Sequence, residues 1–231
     1  MKRIPWIFLF FNLSLISAGQ RNTDYGVFAG ISSYIGDINP GRLLYSPLPS
    51  GGIYYRYNFH PRYSLRGNLF VGGLKAYDSD FNNSFQSSRG AYFKGMVSEL
   101  AIQFEFNFLA FSTQGKLWDF SPYFAAGTGL TYINTTSNNT TTVTFKPVIP
   151  FSVGFKANIY KNMGLEAEYG FRKTFYDNFD GLKDPVSPSD IGWIHNNDWY
   201  SFTGIGLTWK VYSRLAGCPA FSDVDGKRKR K

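Results

Sequence analysis

Apolar and polar residues alternate one by one along eight separate segments of the chain, and this period limits most strongly what the chain can fold into. Successive side chains of a strand point to opposite faces, whereas an amphipathic helix needs apolar residues three and four apart. The segment from Met96 is the clearest. Met96, Leu100, Ile102, Phe104, Phe106 and Phe108 share one face, and Glu99, Gln103, Glu105 and Asn107 the other. Before it, Tyr25, Val27, Ala29 and Ile31 alternate with Gly26, Gly30 and Ser32, Phe28 being the exception. Ile53, Tyr55, Tyr57 and Phe59 alternate with Gly52, Tyr54, Arg56 and Asn58. Tyr63, Leu65, Leu69 and Val71 alternate with Ser64, Arg66, Asn68 and Gly72. After it, Phe124, Ala126, Leu130 and Tyr132 oppose Gly127 and Gly129. Ile149, Phe151, Val153, Phe155 and Ile159 oppose Ser152, Gly154, Lys156 and Asn158. Leu165, Ala167, Tyr169 and Phe171 oppose Glu166, Glu168, Gly170 and Arg172. Thr203, Ile205, Leu207 and Trp209 oppose Gly204, Gly206 and Lys210. The pattern predicts eight strands, most near ten residues long.

The connections carry a second signal. Those after strands two and six are tight, at His60-Pro61-Arg62 and Tyr160–Met163. Those after strands one, three, five and seven read as long and polar: Gly36–Ser50, Lys75–Phe93, Asn134–Val143 and Thr174–Asn197. Short and long links then fall on opposite ends, as in an antiparallel up-and-down sheet. Leu109–Phe120 is moderately long on the short side.

Composition removes several classes. Aromatic residues make up 19% of the 231 residues, too many for a disordered chain. The lone Cys218 excludes a disulfide scaffold. Past the N-terminus there is no run of about 18 apolar residues, so helical spans are excluded. The net charge of +8 misleads. Setting aside Lys2, Arg3 and the terminal run Lys227 to Lys231 leaves 17 of the 24 basic residues against 16 acids. A nearly neutral body carries no basic stripe for nucleic acid.

Lys2 and Arg3 precede an apolar stretch from Ile4 to Ile16, followed by Ser17, Ala18 and Gly19. This reads as a secretory signal over 1–19. The barrel is expected over 20–212 and a tail over 213–231.

A soluble barrel or sandwich of lipocalin type would give the same alternation with the apolar face turned inward. The polar face decides between them. It is sparse, built of Gly, Ser and Asn with a few charges of both signs, whereas a water-facing surface is richer in Lys and Glu. A narrow lumen needs small residues and charges that pair. Arg56, Arg66, Lys156, Arg172 and Lys210 nearly balance Glu99, Glu105, Glu166 and Glu168. All but Lys210 are expected to form the lumen ion-pair network. Strands of this length suit a bilayer, where about 9–11 residues span. Tyr25, Phe59, Tyr63, Tyr123, Tyr160, Trp209 and Tyr212 near one set of strand ends, and Tyr34, Trp193 and Trp199 near the other, read as interfacial girdles. The fold class expected is therefore all-β: an eight-stranded antiparallel transmembrane β-barrel of outer-membrane type, without edges exposed to lipid. An even strand count puts both termini on one side, the periplasm.

Tyr34-Ile35-Gly36-Asp37-Ile38, Glu168 to Phe175, Asp198-Trp199-Tyr200 and Cys218-Pro219 are stretches with a familiar pattern. With them the chain resembles the PorG-type outer-membrane barrels of the type IX secretion system of Bacteroidetes. The resemblance covers nearly the whole chain after residue 19. It implies a non-enzymatic part of a secretion machine, tethered to a periplasmic ring of PorK and PorN. Cys218 and Pro219, just past the last strand, are the candidate ring contacts, through an intermolecular disulfide or otherwise.

The residues keep other readings open. A small porin-like or ligand-binding barrel unrelated to secretion is the alternative. A loop-based lipid-modifying enzyme is the third, but His60 lies in a tight turn, and His195 has no serine at a spacing that implies a catalytic pair. Asp177, Asp180, Asp184 and Asp190 lack calcium-loop spacing. Asn82, Asn134, Asn138 and Asn139 fit a glycosylation pattern by composition alone. No cofactor, metal, nucleic acid or small-molecule substrate is expected. Outer-membrane lipid is.

Overall fold

In the computed structural model the eight alternating segments become eight antiparallel strands among the described residues: 22–36, 38–39, 41–81, 90–113, 118–137, 140–175 and 198–212. They are β1 (Asn22–Ile35), β2 (Leu48–His60), β3 (Tyr63–Tyr77), β4 (Tyr92–Asn107), β5 (Phe120–Ser137), β6 (Thr140–Tyr160), β7 (Met163–Thr174) and β8 (Trp199–Tyr212). Each strand hydrogen-bonds the next, and β8 closes on β1. The seam is tight: a Cβ on Gly30 would fall 2.1 Å from the Thr203 carbonyl oxygen. The residues of 1–19 and 213–231, with Cys218 and Pro219, lie outside the described residues, as do His195 and Asp177, Asp180, Asp184 and Asp190.

Strands of 12 to 21 residues exceed the expected ten. The difference is largest where a long polar loop was expected over Asn134–Val143. There β5 and β6 stay paired up to Ser137 and Thr140. Rows of Thr hold the extension. Thr135 faces Thr142 and Thr136 faces Thr141, whose hydroxyls lie 3.1 Å apart, and the Tyr132 and Phe145 rings meet at 4.9 Å. Polar β-branched residues favour a strand as readily as a loop, and cross-strand pairs supply the stabilisation. The expected loop Lys75–Phe93 shortens likewise, since β3 runs to Tyr77 and β4 starts at Tyr92.

The alternation sorts into an outer and an inner face. Ile53, Leu65, Leu69, Leu100, Ile102, Phe104, Val153, Phe155 and Ile205 are exposed on the outside. Such a band would not persist in water on a monomer, but it is what acyl chains accept. Two girdle assignments fail. Tyr34 and Tyr123 are buried in the lumen, at 0% and 1% exposure. Each falls on the inward register of its strand, and a hydrogen bond waits for its hydroxyl there. Tyr25, Phe59, Tyr63 and Tyr160 are exposed outside.

Candidate functional site

The lumen is where the unusual chemistry lies, and it is filled in two storeys. Toward the tight turns sits an ionic layer. Arg56 of β2 reaches across to β7 and donates both Nη atoms to the Glu166 carboxylate, at 2.7 and 2.8 Å. Its Nε lies 3.1 Å from Glu105 of β4. Glu105 also takes Ser64 Oγ at 2.9 Å and the ammonium of Lys156. Arg66 donates to Gln103 Oε1 and, at 2.7 Å, to Glu168 Oε2. Tyr123 donates to the same Glu168 oxygen at 2.7 Å. Thr208 donates to Glu166 at 2.7 Å. Asp24, 3.7 Å from Arg56, takes Asn58 and Thr113, so the β4–β5 link closes this end from inside. The structure thus brings Arg56, Arg66, Glu105, Lys156, Glu166 and Glu168 together. Lys210 stands apart at the mouth, donating to Ser112 at 3.1 Å.

Above the ions lies an aromatic layer. Phe28, Phe70 and Phe202 pack ring to ring at 5.3 to 6.3 Å, with Tyr54 stacked on Phe28. Arg172 stacks on Phe70 and Phe202, at 4.8 and 5.2 Å, and approaches Glu99 at 3.6 Å. The Arg172–Glu99 pair is therefore separated from the other six network residues by a floor of rings. Large inward side chains meet glycines across the strand pair: Tyr54 faces Gly26, Phe28 faces Gly52, Tyr123 faces Gly154 and Phe202 faces Gly170. A cavity of about 20 Å³ between the layers, lined by Phe28, Tyr54, Arg66 and Glu168 among others, has room for roughly one water.

The aromatic layer escaped the sequence reading, which filled the lumen with glycines and ions. The signal was present: Phe28, Phe70, Phe202 and Tyr200 all occupy inward register positions. Asp24, Asn58, Ser64, Gln103, Thr113 and Thr208 were also missed, since short polar residues on an inward face look like ordinary lining.

The mouth opposite the tight turns is pinned by side chains far apart in sequence. Tyr34 donates its hydroxyl to Asp198 Oδ1. Thr174 Oγ1 donates to the Asp198 carbonyl at 2.6 Å. Asn39 donates to the carbonyls of Tyr34 and Arg42, at 2.8 Å each. Tyr200 donates to Glu99 at 2.5 Å. In the β1–β2 connection Tyr45 donates to Asp80 at 2.6 Å. Burial, reinforced by the Asp80 carboxylate, pushes the Tyr45 hydroxyl up to about 12. Tyr34, Thr174, Asp198 and Tyr200 all come from the stretches quoted above for the resemblance; the first three meet at one buried node, and Tyr200 reaches Glu99.

Tyr34→Phe is expected to lower stability by about 1.5–3 kcal/mol, the usual worth of a buried hydrogen bond to a charged group. Urea unfolding in detergent measures it. A midpoint unchanged from the parent would show that the node carries no stability.

Residues 2–220 match the family model described as a domain of unknown function, DUF6089. No curated protein sequence matches the chain. Among solved structures, Neisserial surface protein A is 13% identical, covers 84% of this chain and 100% of its own, with a TM-score of 0.53. Ail of Yersinia pestis, in complex with a heparin analogue, is 13% identical over 81% of this chain and 97% of that one, at a TM-score of 0.45. The N-terminal β-barrel domain of OprF of Pseudomonas aeruginosa is 12% identical over 82% and 98%, also at 0.45. At 13% identity the likeness to Neisserial surface protein A is one of fold, that of a small eight-stranded outer-membrane barrel.

Proposed function

The chain belongs to the DUF6089 family, and we propose that it is a non-enzymatic outer-membrane barrel of a type IX protein secretion machine, of PorG type. In this reading it holds a periplasmic ring resembling PorK and PorN against the membrane. Both termini and the tight turns face the periplasm, and the longer connections face outward. Cys218, Pro219 and the rest of the tail from Ser213 then lie on the ring's side.

One observation carries the reading: the residues behind the resemblance are spent on internal scaffolding. Tyr34, Thr174, Asp198 and Tyr200 lock the mouth from within, and Arg172 is sandwiched between rings. Side chains occupied in this way neither line a passage nor face a substrate. A barrel filled by its own side chains suits an anchor, whose work is done by what emerges from it.

Affinity capture of the full chain from native outer membranes tests this. The expected result is co-purification of the ring lipoprotein and its companion, and loss of cargo secretion on deletion. A barrel captured without ring proteins, from cells that secrete normally when it is deleted, would refute the tether. Single-channel conductance in planar bilayers, in that case, would support the porin-like alternative.

A further inference from the structure

Lys75 of β3 and Lys94 of β4 are register partners, and both stand on the outward face. Lys94 is exposed and Lys75 half-buried. Like charges directly opposite each other on an antiparallel pair repel. A neighbouring acid would ordinarily relieve this, but the outward faces of β3, β4 and β5 carry none among the described residues. From Ala76 to Ser98 the only acids are Asp78 and Asp80. Asp78 is buried and accepts the Ala91 N–H at 2.9 Å; Asp80 takes the Tyr45 hydroxyl. From Phe120 to Leu165 the sequence has no Asp or Glu at all. Among the described residues no acid supplies the compensating negative charge, so a source outside the chain is open to it.

The height of the pair says from where. Tyr63, an exposed aromatic at the other end of β3, lies 12 residues from Lys75 along the strand. At about 3.3 Å per residue and a tilt near 40°, that is roughly 30 Å along the membrane normal, against an apolar band about 25 Å tall. Exposed Val71 and Met96 lie just below the lysines, and the stacked Tyr77–Tyr92 pair, 6.4 Å apart, just above. Thr136, the β5 partner of Lys94, adds a hydroxyl. Two ammonium groups at the boundary between acyl chains and headgroups form a site for lipid phosphate. A phosphate monoester carries close to two negative charges and matches two lysines better than a singly charged diester.

We propose that Lys75 and Lys94 together bind the phosphate monoester of a phosphorylated glycolipid headgroup, of lipid A type, in the leaflet at the outer mouth of the barrel. This goes beyond the tether and depends only on the barrel standing in an outer membrane with its longer connections outward.

The test reconstitutes the purified full chain into phosphatidylcholine nanodiscs doped with monophosphoryl lipid A, phosphatidic acid or phosphatidylglycerol. Native mass spectrometry then counts the lipids retained. Lipid A is expected to be retained above the others, and the K75Q/K94Q double variant to lose about ten- to thirty-fold of that preference, the effect of two cations at an anionic surface. Lys94→Glu should also abolish the preference. It should raise the unfolding midpoint in neutral detergent, because it replaces the repulsion with an attractive pair. Equal retention by the parent and the double variant would overturn the site. Phosphatidylglycerol held as firmly as lipid A would overturn the monoester, and phosphatidic acid held as firmly would overturn the glycolipid. A barrel that enters the bilayer and shows no preference refutes this inference alone, leaving the tether to be decided by its own capture experiment.

Discussion

Replacing Arg56 with alanine should destabilise the barrel by about 3–5 kcal/mol, the cost of stranding a buried charge whose partner has been removed. Arg56 is 1% exposed and serves Glu166 bidentately, Glu105 through Nε, and Asp24 at longer range. Its loss leaves the Asp24, Glu105 and Glu166 carboxylates without their shared guanidinium, with Lys156 and Arg66 the nearest cations left to Glu105. Arg56→Lys should cost less, because it keeps the charge while giving up the forked geometry. Urea titration in detergent, followed by tryptophan fluorescence and by the heat-dependent shift in gel mobility, reads both. A loss below about 1 kcal/mol for the alanine variant, typical of solvent-exposed pairs, would mean that the network is hydrated and contributes little.

Gly26→Leu should be at least as damaging, at about 3 kcal/mol or more, the upper end of overpacking. A Cβ at Gly26 would fall 2.1 Å from the Tyr54 ring, which its own cation contact and the Thr208 hydroxyl hold in place. Tyr54→Ala alone leaves a void and a freed hydroxyl partner. The two changes together should be less destabilising than their sum, by a coupling of about 0.5–3 kcal/mol. A strictly additive pair would show that Gly26 and Tyr54 do not share the lumen.

The period-2 pattern was enough to read the strands, their order and their two faces, because side-chain direction in a strand has no freedom beyond up or down. The ion-pair residues were legible for the same reason: Arg56, Arg66, Glu105, Lys156, Glu166 and Glu168 are charges on an otherwise small inward face. Which carboxylate takes which guanidinium was not legible, since Arg56 and Glu166 are 110 residues apart and the distance across the lumen appears only on closure. The ring layer was hidden by an assumption about polarity. Phe70 and Phe202 are apolar on the face reserved for polar residues, and composition alone does not tell a packed plug from a misplaced strand. Tyr34 and Tyr123 were misread because a tyrosine near a strand end suits either an interface or a buried acceptor, and only the register separates the two. The reach of β5 and β6 was missed because threonine and asparagine serve as well in a loop as in a paired ribbon.

The ionic storey of the lumen draws on all eight strands: Asp24 from β1, Arg56 from β2, Arg66 from β3, Glu105 from β4, Lys156 from β6, Glu166 and Glu168 from β7, with the hydroxyls of Tyr123 from β5 and Thr208 from β8. The hairpins β1–β2 and β3–β4 each carry one charge of each sign, but the closest partners of Arg56 and Arg66 are Glu166 and Glu168 of β7. A half-inserted sheet would expose unmatched carboxylates and guanidiniums to hydrocarbon, so intermediates gain little until the last strand arrives. Biogenesis of this protein is then a single commitment, and a truncated copy lacking the final hairpin has no resting place in the bilayer.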